Sequence, residues 1–284
     1  MTKRLKKQKT LAEPIAFQGI GIHTGDQVAL RFVPKPAGSG ISFCRIDLPG
    51  KPIIPAGVEY VRDSSRSTSL GVGNALICTV EHVLSALKSY GIDNLLIEVS
   101  AMETPIADGS SLQFVKMIEE AGVVELEATV PIVTLDQPIF YSEEGIHIVA
   151  LPSDEFRVSY TLSYPGEDIL KAQYFSTCID AETFKRELAP ARTFSRYQEI
   201  AELMDRGLIK GGSLSNAVVI DGDVIYSMEG LRYPEEMARH KILDLIGDIS
   251  LVGFPFNAHI IAIRSGHSAH VAFAKKLLNS ITEG

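Results

Sequence analysis

The spacing of apolar residues changes several times along the chain, and each change marks a predicted element. Alternating or continuous apolar stretches bounded by Gly and Pro predict strands, and longer stretches with helical spacing predict helices. Thr79 and Asp108 are the expected caps of the first two helices, and Gly91 and Gly122 follow their last turns. The first half thus contains predicted strands at 28–33, 41–46 and 94–99 and predicted helices at 79–91 and 108–122.

The second half repeats this order of elements. Pro234 is well placed at the first position of a strongly apolar helix, and Gly253 lies just beyond its end. The acidic pair Glu235–Glu236 is expected to favour the start of that helix through the helix dipole. Residues 123–131 carry two glutamates and a proline and are expected to connect the halves. The other elements predicted here are strands at 132–135, 146–151, 156–162, 173–179, 216–220 and 258–263 and helices at 195–206 and 267–281.

Both halves therefore place strands first, then a helix that carries a histidine, then a strand and a final helix. His82 and His240 occupy the corresponding helix of each half. We predict an α+β fold of two similar domains, 1–126 and 131–284, each a sheet layered on helices. The domains are expected to pack face to face, with the active site between them, as an internal duplication would produce.

Composition limits the classes of function. The chain has 284 residues, of which 45% are hydrophobic and 22% charged, as in globular proteins. A formal net charge of -8 argues against a nucleic-acid binder. The apolar runs fall short of the roughly 20 residues that a membrane span needs, and the basic start lacks an apolar signal segment. Cys44, Cys78 and Cys178 are scattered and odd in number, so we predict a reducing, cytoplasmic location.

The candidate chemistry begins in the helix after Pro234. His240 and Asp244 are four residues apart and share one helix face, which Asp248 continues by a further turn. Burying such groups without partners is costly, and a bound cation would remove that cost. Histidine nitrogen and carboxylate oxygen both suit zinc. An isolated His-x-x-x-Asp pair is more often a solvated helix face, so the pair needs a third ligand.

The second histidine-bearing helix can supply that ligand. If the two helices meet between the halves, His82 completes a His-His-Asp set, which leaves a fourth zinc position for water. Glu81 would then be placed to take a proton from that water. His267, between a strand and a helix, could protonate a leaving group. Three protein ligands and an open fourth position would mark a catalytic rather than a structural zinc site.

Several segments are more specific than this pattern. The chain resembles the UDP-3-O-acyl-N-acetylglucosamine deacetylases, the zinc amidases of lipid A biosynthesis, over nearly its whole length. The resemblance implies two layered domains, each with a small insert near the active site, the second at about 194–221. The matching segments are Thr79–His82, Asp93–Asn94, Pro105–Ser110, Ala191–Phe194, Gly207–Ser213, Leu231–Arg232, Arg239–Asp248 and Ser265–His267.

The resemblance also implies roles for individual residues. It implies zinc-dependent removal of the N-acetyl group from UDP-3-O-acyl-N-acetylglucosamine, a nucleotide sugar with one acyl chain, without a required oligomer. Glu81 corresponds to the general base, His267 to the general acid, Asp248 to the carboxylate that orients it and Thr193 to the oxyanion donor. The implied zinc ligands are His82, His240 and Asp244, and the implied substrate contacts are Lys241, Phe194, Glu199, Gly212 and Arg264.

Some positions stay open or depart from the family pattern. No cysteine stands near Ser67, so the inhibitory zinc site that some members carry there is in doubt. Apolar residues of 194–220 are expected to line an acyl-chain passage. The other histidines (His23, His147, His259 and His270) are expected in strands or at the surface. Two further classes remain, a zinc-binding module without turnover and a nucleotide-sugar binding protein without a catalytic metal.

Overall fold

The computed structural model describes residues 4–164, 170 and 172–282. Its first half contains β1 (Arg4–Leu11), β2 (Ile15–Ile20), β3 (Gln27–Pro34), β4 (Ile41–Arg45), β5 (Ile53–Pro55), a 3-10 turn (Val58–Tyr60), β6 (Val61–Asp63), β7 (Ser69–Val72), β8 (Ala75–Ile77), α1 (Glu81–Ser89), β9 (Leu95–Val99) and α2 (Leu112–Ala121).

The strand β10 (Val123–Thr134) leads into the second half. That half contains β11 (Ile139–Glu143), β12 (Ile146–Leu151), β13 (Arg157–Leu162), β14 (Gln173–Cys178), α3 (Ala181–Thr183) continued by a π-helical turn (Phe184–Leu188), β15 (Phe194–Arg196), α4 (Tyr197–Asp205), β16 (Val218–Asp221), β17 (Val224–Tyr226), α5 (Glu236–Ser250), β18 (Phe256–Asn257), β19 (His259–Ile263) and α6 (His267–Thr282).

Two five-stranded sheets have the same design. Their strand orders are β2-β3-β9-β4-β5 and β11-β12-β19-β13-β14. In each sheet the central strand pairs parallel with one neighbour, β4 or β13, and the other pairings are antiparallel. The predicted α+β fold of two sheet-and-helix layers is therefore confirmed. Their common topology is what an internal duplication would leave, and that origin stays a prediction.

The strands are amphipathic in the expected way. Along β3, Val28, Leu30 and Phe32 are buried, whereas Gln27 before them and Arg31 between Leu30 and Phe32 are exposed. Because successive side chains point to opposite faces of the sheet, one face packs against the helices and the other faces water. The sheet of the second half buries its own apolar side chains against α5 and α6 in the same manner. The two layers thus meet through their helices.

The helices α1 and α5 form the contact between the halves. Every residue of α5 from Glu236 to Ile249 is buried except Lys241. A helix buried on all sides belongs in a core, and its polar side chains then need partners inside the protein. Gly247 lets the two backbones approach closely, since a methyl group there would lie 2.1 Å from the carbonyl oxygen of Glu81.

We expect Gly247→Ala to lower the free energy of unfolding by about 1–3 kcal/mol, because α1 and α5 must move apart. Helix propensity alone predicts the opposite sign, a gain of roughly 1 kcal/mol for Gly→Ala. Urea denaturation of the two proteins measures the difference. A stabilised variant would mean that the close approach at Gly247 does not constrain the helices.

The predictions for residues 123–131 and for Thr79 were wrong. The expected connection at 123–131 lies within the 12-residue strand β10, which pairs antiparallel with β1 and parallel with β18. Its glutamates face water, so the segment is as polar as a loop. It forms a strand because β1 supplies hydrogen-bond partners for its backbone. Thr79 does not cap α1: its φ is +59° and its hydroxyl donates to Glu103 at 2.9 Å.

Each half carries a small three-stranded sheet, β6-β7-β8 in the first and β15-β16-β17 in the second. The second one, together with α4, covers residues 194–226, slightly longer than the predicted insert. The predicted domain limits at 126 and 131 both fall inside β10, and the division of the chain into domains stays a prediction. Over the described ranges, the helices are too short or too polar to cross a membrane.

Candidate active site

The helix contact brings together the side chains that the sequence singled out. His82 lies in the first turn of α1, and His240 and Asp244 lie one turn apart on α5. The Oδ1 atom of Asp244 is 3.3 Å from His240 Nε2 and 3.7 Å from His82 Nε2. All three residues are buried, and one candidate ligand atom from each lies within 4.8 Å of the others. The helices thus form a compact three-residue cluster.

The tautomer of His240 follows from its neighbours. Its Nδ1 is 3.0 Å from the carbonyl oxygen of Ala191, which can only accept, so Nδ1 carries the hydrogen. Burial lowers the pKa of His240, so the ring is neutral near pH 7 and Nε2 presents a lone pair. That lone pair faces a carboxylate oxygen at 3.3 Å. Two electron-rich atoms in such proximity repel each other unless a cation lies between them.

The electrostatics of Asp244 and His82 support the same interpretation. Burial opposes the charge of Asp244, but the positive charges of Lys241 and His267 hold its pKa well below the usual range. Its Oδ2 accepts from Lys241 Nζ at 2.9 Å, whereas Oδ1 has no hydrogen-bond partner among the described residues. Burial also lowers the pKa of His82 to about 3, so this imidazole is neutral. An ionised carboxylate and two neutral imidazoles fit a zinc ion.

Glu81 and His267 lie on another side of this cluster. The Oε2 atom of Glu81 accepts from the backbone N–H of Thr68 at 3.0 Å, and burial raises the pKa of Glu81 to about 8. His267 Nε2 is 3.9 Å from Glu81 Oε1 and 3.9 Å from Asp244 Oδ2. The carboxyl group of Glu81 and the imidazole of His267 therefore flank the candidate metal position. Each would be close to a molecule that reacts there.

Asp248 lies beneath His267 and is completely buried. Its Oδ2 accepts from His267 Nδ1 at 2.8 Å. Burial disfavours the charged imidazole, but the carboxylates of Asp248, Asp244 and Glu81 together raise the pKa of His267 to about 9. His267 is therefore a cation near pH 7, with Nε2–H turned toward the cluster. Such a group can give up a proton.

Backbone geometry places His267 at this point. Arg264 follows β19 with a φ of +56°, a left-handed conformation that turns the chain away from the strand. Ser265 and Gly266 complete the turn, and α6 begins at His267. The side chain of Arg264 itself is exposed and is not among the described residues that line the central cavity. Arg264 therefore lies outside the described lining of the cavity, three residues before His267 in the chain, and its contact with substrate stays a prediction.

Thr193 is held at the site by its neighbours. Its backbone N–H donates to Gly109 at 2.8 Å, and its carbonyl accepts from Val218 at 2.9 Å. The preceding residue, Arg192, is 2% exposed, and its Nε lies 2.8 Å from the Oε1 of Glu236, which is fully buried. Glu236 also accepts the backbone N–H groups of Arg192 and Arg232. Thus Glu236 anchors the segment before Thr193, whereas the sequence predicted only a role in the helix dipole.

We expect Glu236→Gln to destabilise the protein by about 3–5 kcal/mol, because breaking a buried pair leaves the buried guanidinium of Arg192 with only the exposed carboxylate of Glu229, at 3.6 Å, as a counter-charge. The neighbouring Glu235 pairs with Arg239 at 3.3 Å, and its side chain is 37% exposed. Glu235→Gln is therefore the matched control, with an expected change of less than about 1 kcal/mol. Thermal and urea unfolding measure both; equal effects would contradict the anchoring role of Glu236.

A cavity of about 650 Å³ opens above the cluster. It joins the His-His-Asp set to the insert of the second half, and its wall there is apolar. Asp248 lies below its floor, behind His267. The predicted site residues that line it are Glu81, His82, Thr193, Phe194, Glu199, Gly212, His240, Lys241, Asp244 and His267.

Several groups at or beside this site were not predicted from the sequence. His270, expected in a strand or at the surface, is fully buried and donates to Asp248. His23 lines the cavity, held there by Glu103, which accepts the backbone N–H groups of His23 and Thr24. Asp108 does not cap α2; it accepts from Ser110 and pairs with Arg232 at 2.7 Å. Except for the bond from Ser110, these contacts are tertiary, and local spacing gave no signal of them.

Asp248, His267 and His270 form a second group of possible metal ligands. Their facing atoms already bond to each other: both ring Nδ1 atoms lie 2.8 Å from Asp248 Oδ2. The other oxygen of Asp248 accepts from the hydroxyl of Thr68. This group is therefore a hydrogen-bonded network, in contrast to the His82, His240 and Asp244 cluster, whose central oxygen lacks a donor among the described residues.

Two sheet-and-helix layers with a buried His-His-Asp cluster, a carboxyl group and an imidazole beside an apolar cavity define a class of hydrolytic enzyme. Comparison with known sequences identifies the family within that class. The profile of the UDP-3-O-acyl N-acetylglycosamine deacetylase family matches residues 8–279, and the chain belongs to this family.

Individual relatives agree over almost the full length. A protein of Chlamydia caviae named UDP-3-O-acyl-N-acetylglucosamine deacetylase is 46% identical to this chain, over 96% of this chain and 97% of the relative. The relative in Chlamydia pneumoniae is 47% identical over 97% and 98% of the two chains. In Chlamydia trachomatis serovar L2 the identity is 43% over 97% and 96%. The family resemblance inferred from the motifs is therefore confirmed.

Proposed function

We propose that this protein hydrolyses the N-acetyl group of UDP-3-O-acyl-N-acetylglucosamine with the help of zinc, giving acetate and the free amine in lipid A biosynthesis. Family membership supports the deacetylase activity. The zinc dependence rests above all on one observation, the ionised Asp244 oxygen that faces imidazole nitrogens of His82 and His240 without a hydrogen-bond donor among the described residues.

In this proposal His82, His240 and Asp244 hold the zinc ion. When bound, zinc supplies Lewis-acid chemistry, which lowers the pKa of a coordinated water from about 15.7 to about 7. The bond from His240 Nδ1 to Ala191 fixes the ring so that Nε2 stays available as a ligand. Lys241 occupies the other oxygen of Asp244, which orients that carboxylate.

The protein's own residues then move the protons. Glu81 accepts a proton from the attacking water, and its bond to the N–H of Thr68 keeps its other oxygen directed at the cluster. The hydroxyl of Thr193 stabilises the oxyanion, a contribution of roughly 3 kcal/mol for a well-placed donor. His267 gives its Nε2 proton to the departing nitrogen, while Asp248 holds Nδ1. Separate groups thus serve as base and acid.

Cationic and polar groups on the cavity wall suit the nucleotide diphosphate. Lys241 Nζ lies 5.6 Å from the centre of the Phe194 ring, near the metal cluster. Glu199 bridges Arg66 and Arg196, at 3.3 Å and 2.5 Å, and so keeps two guanidinium groups at the cavity. These three cations can neutralise phosphate charge. We assign Glu199 to positioning the two arginines.

The apolar part of the cavity suits the acyl chain. It leads away from the metal cluster between α4 and the segment before β16, and Gly212 lies on its wall. An apolar passage beside a polar reaction centre matches a substrate that is both a nucleotide sugar and a lipid. Its lining side chains in this region include Ile200, Leu203, Met204, Leu208, Ile209, Ala217 and Val219.

We expect Gly212→Leu to reduce kcat/KM far more for a long-chain substrate than for a short-chain analogue. Gly212 lines the passage, so a leucine side chain there would take up part of its volume. Each methylene that loses its burial costs roughly 0.8 kcal/mol. Paired kinetics on the two substrates, with zinc content as the control, measure the effect. Equal losses of kcat/KM for both substrates would show that the acyl chain binds elsewhere.

Two other classes of protein compete with this proposal. A zinc-binding module without turnover would need the three ligands but neither Glu81 nor His267. A nucleotide-sugar binding protein would need the cavity but not the buried cluster. Metal analysis of the purified protein, together with mass spectrometry of the product, separates the three. We expect about one zinc per chain and loss of an acetyl group from the substrate; zinc without turnover, or binding without zinc, would favour a competitor.

The proposal includes a cytoplasmic location. A nucleotide-sugar substrate and three free cysteines agree with a reducing compartment. Fractionation of cells tests it: the protein should be found with cytoplasmic markers, and its recovery elsewhere would contradict this part.

A further inference from the structure

The carboxylate of Asp248 receives three side-chain hydrogen bonds. Thr68 Oγ1 donates to Oδ1 at 2.5 Å, and the Nδ1 atoms of His267 and His270 both lie 2.8 Å from Oδ2. Asp248 is completely buried, so these donors replace the water that would otherwise solvate it. The proposed mechanism uses only one of the three, the bond to His267. The other two have the geometry of a support for the carboxylate.

His270 is the most firmly fixed of these groups. It is completely buried on the first turn of α6, one helical turn after His267, and the two rings have centroids 6.1 Å apart. Its Nε2 is 2.8 Å from the hydroxyl of Ser265, whose carbonyl oxygen accepts the phenol of Tyr160. Both ring nitrogens are therefore engaged, and the ring cannot turn without breaking two hydrogen bonds.

The direction of each bond follows from chemistry. Ionised Asp248 can only accept, so Nδ1 of His270 carries a hydrogen. Burial lowers the pKa of His270, so Nε2 takes the hydrogen of the Ser265 hydroxyl and the ring is neutral. A neutral donor steadies the carboxylate and adds no positive charge. The charge of Asp248 stays directed at the imidazolium of His267.

We propose that His270 is a positioning residue for deacetylation, which acts through Asp248 to hold His267 where its Nε2 proton meets the leaving nitrogen. This inference rests on the proposed function. The chain of contacts runs from Ser265 through His270 and Asp248 to His267. Hydrogen-bond partners of metal ligands contribute about 10- to 100-fold to activity or affinity, and we expect a similar contribution from this support of the proton donor. They do so by holding catalytic groups within a fraction of an ångström of the productive geometry.

A matched pair of substitutions tests the proposal. Asparagine carries an amide nitrogen near the place of imidazole Nδ1 and can still donate to Asp248, whereas leucine has a similar shape and cannot. His270→Leu should lower kcat about 10- to 100-fold, with KM and zinc content unchanged. His270→Asn should recover most of that loss, although both variants lose the bond to Ser265. Equal kcat values for the two variants would overturn the proposal.

A second background separates positioning from a structural role. If His270 acts through His267, then His267→Ala and the double variant His267→Ala/His270→Leu should have the same residual kcat. A further drop of about 10-fold in the double variant would overturn the proposal, because the effect would then bypass His267. A wild-type protein that fails to deacetylate the UDP-sugar would instead refute the proposed function itself, so the two failures are distinguishable.

Discussion

His240→Ala is expected to lose bound zinc and deacetylation together. The substitution removes a ligand from the most buried part of the cluster and leaves the carboxylate of Asp244 with one imidazole fewer. Activity should fall by more than about 1,000-fold, since outer partners of metal ligands alone cost about 10- to 100-fold. The site lies between the halves, so most of the helical and strand signal in circular dichroism should survive.

An exposed histidine provides the matched control for that experiment. His147 lies on β12 and bonds to Ser142 at 2.9 Å, away from the cluster. His147→Ala should keep about one zinc per chain and wild-type turnover. Measurement of zinc by mass spectrometry on both variants decides the matter. A full zinc complement in His240→Ala would show that His240 on α5 is not a zinc ligand.

Glu81→Gln and His267→Gln should keep zinc yet lose turnover by roughly 100- to 10,000-fold, because each loses a positioned proton transfer. Neither side chain belongs to the proposed ligand set. Glu98→Gln and His259→Gln are controls of the same chemistry on strands β9 and β19, and both should remain active. Loss of zinc from either site variant would show that it helps to bind the metal.

The pH dependence should distinguish the two roles. Glu81 acts when deprotonated, so the rate rises with pH through its pKa, which burial raises to about 8 in the metal-free protein. His267 acts when protonated, so the rate falls as pH passes its pKa, about 9 without metal. A zinc cation nearby lowers both values. We expect a bell-shaped profile whose alkaline limb flattens in His267→Gln; an unchanged limb would mean that another group is the acid.

Helical spacing was the most informative feature of the sequence. The four-residue interval placed His240 and Asp244 on one face of α5, and the structure brings them within 3.3 Å of each other. Helical spacing could not show which residues Asp248 contacts. Asp248 lies on the same face of α5 as His240 and Asp244, yet it bonds to His267 and His270 and not to the cluster. That change of partner depends on how α6 crosses α5, which no local pattern encodes.

Long-range contacts explain the remaining failures. The third ligand, His82, was placed by the repeat of the two halves and by the family resemblance, not by spacing. His270 and Glu236 are buried polar residues whose partners are distant in sequence, at Asp248 and Arg192. A polar residue on an otherwise apolar helix was the available signal for both. Strand β10 was missed because its partner β1 lies at the other end of the half.

The most direct measurement is zinc titration of chelator-treated protein while deacetylation of UDP-3-O-acyl-N-acetylglucosamine is followed by mass spectrometry. The proposal predicts that turnover is negligible without added zinc, rises in proportion to zinc and reaches its plateau at about one zinc per chain. His240→Ala should stay inactive throughout the titration. Full turnover by the metal-free protein, or a plateau that His240→Ala also reaches, would contradict a zinc centre built from His82, His240 and Asp244.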